Sequence, residues 1–501
     1  MPASLSALSV ESFERSRERF ESMICQLADP ETGQRTHGEL EEQLSTEGRE
    51  LMRILLQDHL DLRARREVRQ EMVTGSDAVA RRAVEPTHER GLATVFGQVR
   101  VARLAYRARG AANLSPADAV LNLPTTKHSH GLRRLAAIES TRGSFQAAGE
   151  AIGRVCGTVL GKRQVEELTQ AAAVDVDAFY TTRHRDPACD GDVLVCSVDG
   201  KGIVMRPEAL REATRRAVAN RPPPATRLAG GHQPGRKRMA EVGAVYDATP
   251  AIRTPADILT TSHERPADPA PGPQARNKWL TASVSDDAAE VIGAVLDEAQ
   301  RRDPDHARCW VGLVDGNNHQ IQTLTTEAKR HGVRVNIVID FIHVLEYLHK
   351  AARCFFVEDD PAAQDWVAGH ARRILAGQAS TVAAAIRRKA TALTLSPGQR
   401  ERADTCATYL LNKHRYLNYP LALQAGWPIA TGVIEGACRH LIQDRMDITG
   451  ARWGLTGAEA TLTLRTVISN GDFDAYWNFH LTQEQHRVHH RRYWAEHVPT
   501  A

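Results

Sequence analysis

None of the eight cysteines in this 501-residue chain forms a CxxC pair. That argues against a zinc module and against a disulfide framework, and several cysteines sit in apolar runs as reduced core residues do. No apolar run reaches the length of a membrane span. The first twenty residues, MPASLSALSVESFERSRERF, carry charge too early for a signal peptide. GGHQPGRKR lacks the GK[ST] ending of a phosphate-binding loop, so nothing points to nucleotide hydrolysis. There is no internal repeat and no low-complexity tract. Net charge is only +3, so global charge does not announce nucleic-acid binding. These absences leave a soluble, cytoplasmic chain with no membrane partner as the expectation.

What is present is enough apolar residue, 42%, to bury a sizeable core, with 25% charged. The charge is uneven. Basic residues cluster at Arg63–Arg69, Arg100–Arg109, Arg236–Arg238 and Arg487–Arg492, and local patches bind phosphate even at low net charge. Residues 1–90 read as a helical N-terminal region with many i,i+4 charge pairs. Residues 91–185 read as a β-hairpin followed by a helix-turn-helix. In the hairpin, ATVFGQVRVARLAYRAR, a period of two puts Arg103, Arg107 and Arg109 on one face. Such a ribbon can follow a DNA groove; an ordinary solvated hairpin has the same pattern. Ser144 caps the next helix, Gly157 and Gly161 break the chain, and Lys162, Arg163 and Gln164 open the helix expected to meet DNA.

From residue 186 to 340 the texture is α/β. Apolar strand-like runs alternate with helical patterns, and two loops rich in proline and glycine interrupt them. Residues 341–430 read as an all-helical insertion. Residues 431–475 return to the core with a glutamate helix, and residues 476–501 form a basic tail. Three runs stand out: LVCSVDGKG around Asp199, WVGLVDGNN around Asp315 and ATGVIEGACRHLIQDR around Glu435. Two carboxylates delivered at strand ends and a third from a helix suit a two-metal site for phosphodiester chemistry. Each alone has an ordinary explanation. Asp-Gly is a common strand-to-turn pair, and a glutamate favours a helix N-terminus. Asp340 competes with Asp315, because it too ends an apolar run and is followed by His343 in DFIH.

Taken together, SVDGKG (Ser197–Gly202), VDGNNHQI (Val314–Ile321), VIDFIHVLEYL (Val338–Leu348) and GVIEGACRHLIQDRMDITGARW (Gly432–Trp453) resemble the insertion-sequence transposases of the ISKra group, relatives of the Mutator-like transposases. The likeness runs from about Phe96 onward. It implies a ribonuclease H-like core with an all-α insertion, preceded by a mainly helical DNA-binding region. It implies that Asp199, Asp315 and Glu435 are the catalytic, metal-binding carboxylates. Asp340, His343 and Lys201 would support the site. Mg2+ would be the cofactor, with Mn2+ able to substitute. The partners implied are double-stranded DNA, as terminal inverted repeats and target, and a second copy of the chain in a synaptic complex, within the nucleoid of a prokaryotic cytoplasm. Arg445 and Arg452 are expected to clamp DNA backbone, and Trp453 to stack on an unpaired base, although a core tryptophan fits as well. A nuclease without strand transfer and a domesticated DNA-binding regulator remain alternatives.

Overall fold

The structure is a computed structural model that describes residues 12–183, 191–220, 236–259, 270–448 and 450–499. Most of the two proline-rich loops expected from the sequence lies outside these residues. The chain divides into two compact units. One comprises residues 1–181 and 472–501; the other comprises residues 182–471.

In the first unit, a long helix over His37–Arg66 starts at a capping box, in which the Thr36 hydroxyl and the Glu39 side chain satisfy each other's backbone N–H groups. Its Leu60 packs on Leu92, Val99 and Val101 of a hairpin. The short strands β1 (Val73–Thr74) and β2 (Ala80–Arg81) precede that hairpin, whose strands are β3 (Ala83–Thr94) and β4 (Gly97–Arg107). The hairpin begins ten residues before the expected Ala93, so the stretch after Arg66 that was expected to be helical holds short strands instead, and the hairpin's basic face also differs. Arg103 shares its alternation with Val99 and Val101, which face the core, so it is buried and bonds the Asp118 carboxylate at 2.7 Å. Arg107 is exposed and pairs with Glu85.

Three helices follow, over His130–Arg142, Phe145–Cys156 and Lys162–Ala172, around a core of Leu132, Ile152, Val165 and Leu168. Ser144 caps the second through the Ala147 N–H, and Gly157 ends it in the left-handed conformation. The C-terminal segment is not a separate tail. Its helix, Phe473–Val488, packs within this unit through a buried charge network. There Arg133 pairs with Glu484, and His480 bonds Asp175 at 2.6 Å.

The second unit is a mixed α/β structure around one five-stranded sheet. Its strands are β5 (Val193–Val204), β6 (Lys237–Ala248), β7 (Ala275–Ser283), β8 (Trp310–Val314) and β9 (Val335–Ile339). The order is β7-β6-β5-β8-β9. The first three pair antiparallel, while β8 and β9 run parallel to β5. The parallel connections need crossovers, which the Ala288–Arg302 and Asn318–Arg330 helices supply. These helices cover one face, where a Cβ on Gly243 or Gly312 would lie within 2.6 Å of Val295 or Leu324.

The stretch after β9 is helical, as expected. Helices over Phe341–Ala352, Pro361–Leu375, Ala379–Ala392, Pro397–Asn412 and Tyr419–Gln424 bury Ile374, Leu375, Val382, Ile386, Cys406 and Leu410. The block leaves and rejoins the sheet at one point. The Phe341 N–H donates to the Ile429 carbonyl at 2.8 Å, and the Tyr419 hydroxyl donates to the Ile339 carbonyl at 2.9 Å. No helix among the described residues is long and apolar enough to cross a membrane.

Candidate metal centre

The parallel strands set the site. Ser197 of β5 pairs in register with Leu313 of β8, and Val314 of β8 pairs with Ile339 of β9. Counting onward brings Asp199, within β5, and Asp315 and Asp340, one residue past β8 and β9, to one face of the sheet. This face is opposite the two crossover helices, because Gly312 pairs with Cys196 on the other alternation.

Glu435 arrives from the chain that returns after the helical block. It sits in a short helix, Gly432–Ala437, which continues as a π turn over Cys438–Gln443. Such turns widen a helix and often mark functional sites. One turn beyond Glu435, the Cys438 thiol donates to the Asp199 carboxylate at 3.4 Å. Burial first, and then the Asp199 charge, push that thiol far above its ordinary pKa, so it stays protonated.

Among the described residues, the group of three or more potential ligands that converges is Asp340, His343 and Glu435, each with one donor atom within 4.8 Å of the others. Asp199 and Asp315 are not members of it. The three members differ in role. Asp340 is fully buried and its oxygens are heavily engaged. It accepts from the Ile342 N–H at 3.0 Å and the Thr431 hydroxyl at 2.7 Å, and it bonds the His343 Nδ1 at 3.2 Å. It is the helix N-cap of Phe341–Ala352, as a strand-end aspartate before a helix should be. His343 is half-buried, and its hydrogen bond with Asp340 raises its pKa against the opposing effect of burial. Glu435 is exposed, and the Thr431 hydroxyl lies 3.2 Å from it. Thr431 therefore bridges the two carboxylates.

Asp315 directly follows β8, and its side chain accepts from the Asn317 N–H at 2.8 Å. Lys201 is half-buried two residues beyond Asp199, and its charge acts on the Cys438 thiol. Arg452 is exposed. Two expected DNA contacts are overturned by burial. Trp453 is 6% exposed, and its indole N–H donates to the Met446 carbonyl at 2.9 Å. Its backbone pairs with the segment just after β5, at Met205. Arg445 is 3% exposed and lies over that ring at 4.6 Å. Burial lowers the Arg445 pKa to about 10. The pair is interior packing, and neither side chain presents a surface to DNA. In the other unit, Lys162 and Arg163 are exposed at the start of their helix, Arg163 pairing with Glu167.

Sequence reasoning missed Thr431, Cys438, Tyr409 and Lys413. For the first two a signal existed: they lie four residues before and three after Glu435, one helical turn either way. Tyr409 and Lys413 belong to another helix and carry no local signal. No family model matches the chain, and no curated protein does.

Proposed function

We propose that this chain is a DDE-type DNA transposase built on a ribonuclease H-like core. It binds the terminal inverted repeats of an insertion sequence, cleaves there, and joins the freed end to target DNA. The sheet order, with three antiparallel strands followed by two parallel ones, supports the core assignment. The observation that carries the functional reading is the convergence of Glu435, from the returning helix, on Asp340 and His343, with Asp199 and Asp315 on the two neighbouring strands of the same sheet. Acidic side chains brought together from distant parts of a chain repel one another and need a cation to balance them.

The donor set suits a divalent metal. Carboxylate oxygens fit magnesium or manganese, whereas an imidazole leans toward later transition metals. We assign Asp199, Asp315 and Glu435 as the carboxylates that hold two magnesium ions, with manganese able to replace them. Bound ions of this kind activate the attacking oxygen and stabilise the leaving one. Asp340 is the buried anchor that orients His343 and Thr431. His343, whose proton affinity Asp340 raises, is suited to hold a proton beside a phosphate oxygen. Lys162 and Arg163 would contact repeat DNA, and two copies of the chain would pair two ends.

The direct test is incubation of the purified chain with repeat-ended DNA and Mg2+, scoring cleavage and end joining separately. Cleavage followed by joining supports the reading. Cleavage alone favours a nuclease, and inert protein on its own element's ends rejects both.

A further inference from the structure

Tyr409 and Lys413 stand one turn apart at the end of the Pro397–Asn412 helix, and both reach the turn that carries Asp315. The Tyr409 hydroxyl donates to the Asp315 carbonyl at 3.2 Å. Directly after Asp315, Gly316 has φ +96°, and a Cβ there would lie 2.7 Å from that same hydroxyl. The glycine and the tyrosine are therefore matched: the turn closes under the ring because Gly316 has no side chain.

The Tyr409 ring stacks on Tyr347, with centroids 4.0 Å apart and planes 14° from parallel. Tyr347 lies one turn beyond His343 on the Phe341–Ala352 helix. One aromatic pair thus ties the Asp315 turn to the helix that holds His343.

Lys413 is 7% exposed. Its ammonium donates to the Asn318 side-chain oxygen, at the start of the helix that follows Asp315. Burying a charged ammonium is costly unless a partner is near. Burial lowers the Lys413 pKa, and the charge of Asp315 opposes that shift.

We propose that Tyr409 and Lys413 are positioning residues for Asp315: the tyrosine fixes its turn, and the lysine, held by Asn318 at the start of the following helix, sets an ammonium charge near that turn. This rests on the reading of Asp315 as a metal-binding carboxylate. The helical block is then part of the site as well as a spacer. An ammonium near the Asp315 turn lowers the affinity of that carboxylate for a divalent ion. In return, it supplies charge balance that does not depend on metal.

The test uses the full chain, titrated with Mn2+ by electron paramagnetic resonance, alongside cleavage kinetics on repeat-ended DNA. Lys413→Met keeps the length of the side chain and removes its charge. It is expected to bind Mn2+ at least threefold more tightly while kcat falls at least tenfold. Lys413→Arg is expected to restore the wild-type Mn2+ affinity. Tyr409→Phe keeps the stack and loses the hydroxyl, and is expected to lower kcat at least tenfold with KM for DNA unchanged. Wild-type Mn2+ affinity and kcat in both Lys413→Met and Tyr409→Phe would overturn the proposal. Equal weakening of Mn2+ binding by Lys413→Met and Lys413→Arg would also overturn it, since that is the mark of packing alone. If the wild-type chain takes up no Mn2+, or Asp315→Asn binds it unchanged, the failure lies in the metal reading and the proposal falls with it.

Discussion

The Thr431 hydroxyl lies 2.7 Å from the Asp340 carboxylate and 3.2 Å from that of Glu435. One side chain thereby connects a fully buried strand-end aspartate with an exposed carboxylate on the returning helix. A hydroxyl has one proton, so the shorter contact identifies Asp340 as the acceptor and leaves Glu435 freer to take another partner. Thr431→Val keeps the shape and removes that donor. We expect a loss of about 1–3 kcal/mol, the usual cost of a buried acceptor deprived of its partner. Chemical denaturation of variant and wild type measures it, and equal stability would show that the bond is not needed.

The carboxylates separate by role. Asp199→Asn, Asp315→Asn and Glu435→Gln should each abolish Mg2+-dependent cleavage while the fold and DNA affinity persist, because the amides keep the shape and lose the charge. Asp340→Asn should instead lower thermal stability, since its carboxylate is fully buried and bonded to Ile342, Thr431 and His343. Cleavage assays and melting curves on the four variants decide this. An active Asp315→Asn beside an inactive but stable Asp340→Asn would transfer the metal role to Asp340.

DNA recognition is expected at Lys162 and Arg163, exposed at the opening of their helix. Replacing both by alanine should weaken binding to the repeats. It should also reduce the slope of log affinity against log salt by about 0.9 for each phosphate that is no longer neutralised. Binding isotherms at several salt concentrations test this, and an unchanged slope would move recognition elsewhere.

Trp453 gives the opposite prediction. Because its ring is buried under Arg445, Trp453→Ala should destabilise the second unit by about 3–5 kcal/mol. DNA affinity of the folded fraction should not change. A stable variant with weakened DNA binding would restore the stacking role that burial argues against.

The C-terminal helix should be acid-sensitive through Glu484. Burial alone would raise its pKa. The His480 ring, 3.4 Å away, and the hydrogen bond from Arg133 overcome this and hold it at about 2. A carboxylate depressed in the fold contributes stability above its unfolded value, about 4.3, and that contribution is lost as pH falls toward the folded value. Glu484→Gln should therefore cost about 3 kcal/mol near neutral pH, where Arg133 is left without its buried partner. The gap from wild type should narrow between about pH 4.3 and 2. Denaturation measured at pH 7 and pH 3 checks the sign, and a gap that widens on acidification contradicts it.

Much of the molecule was legible in the chain itself. Period-two and continuous apolar runs marked the core strands, and capping residues and glycines marked the three helices around Ser144. Asp315 and Asp340 were visible because each directly follows a short apolar strand, which is a local property, whereas Asp199 proved to lie within β5, which runs on to Val204. What the sequence did not determine was which acidic residues meet. Glu435 could reach the sheet only because the helical block closes on itself, with Phe341 bonded to Ile429, and that closure depends on packing among residues far apart in the chain. The same limit explains the misread cations. Arg103 and Arg445 look like surface charge in one dimension, and Lys413 carries no local signal at all. The fold buries them because Asp118, the Trp453 ring and the Asp315 turn come to meet them, and no local pattern records those partners.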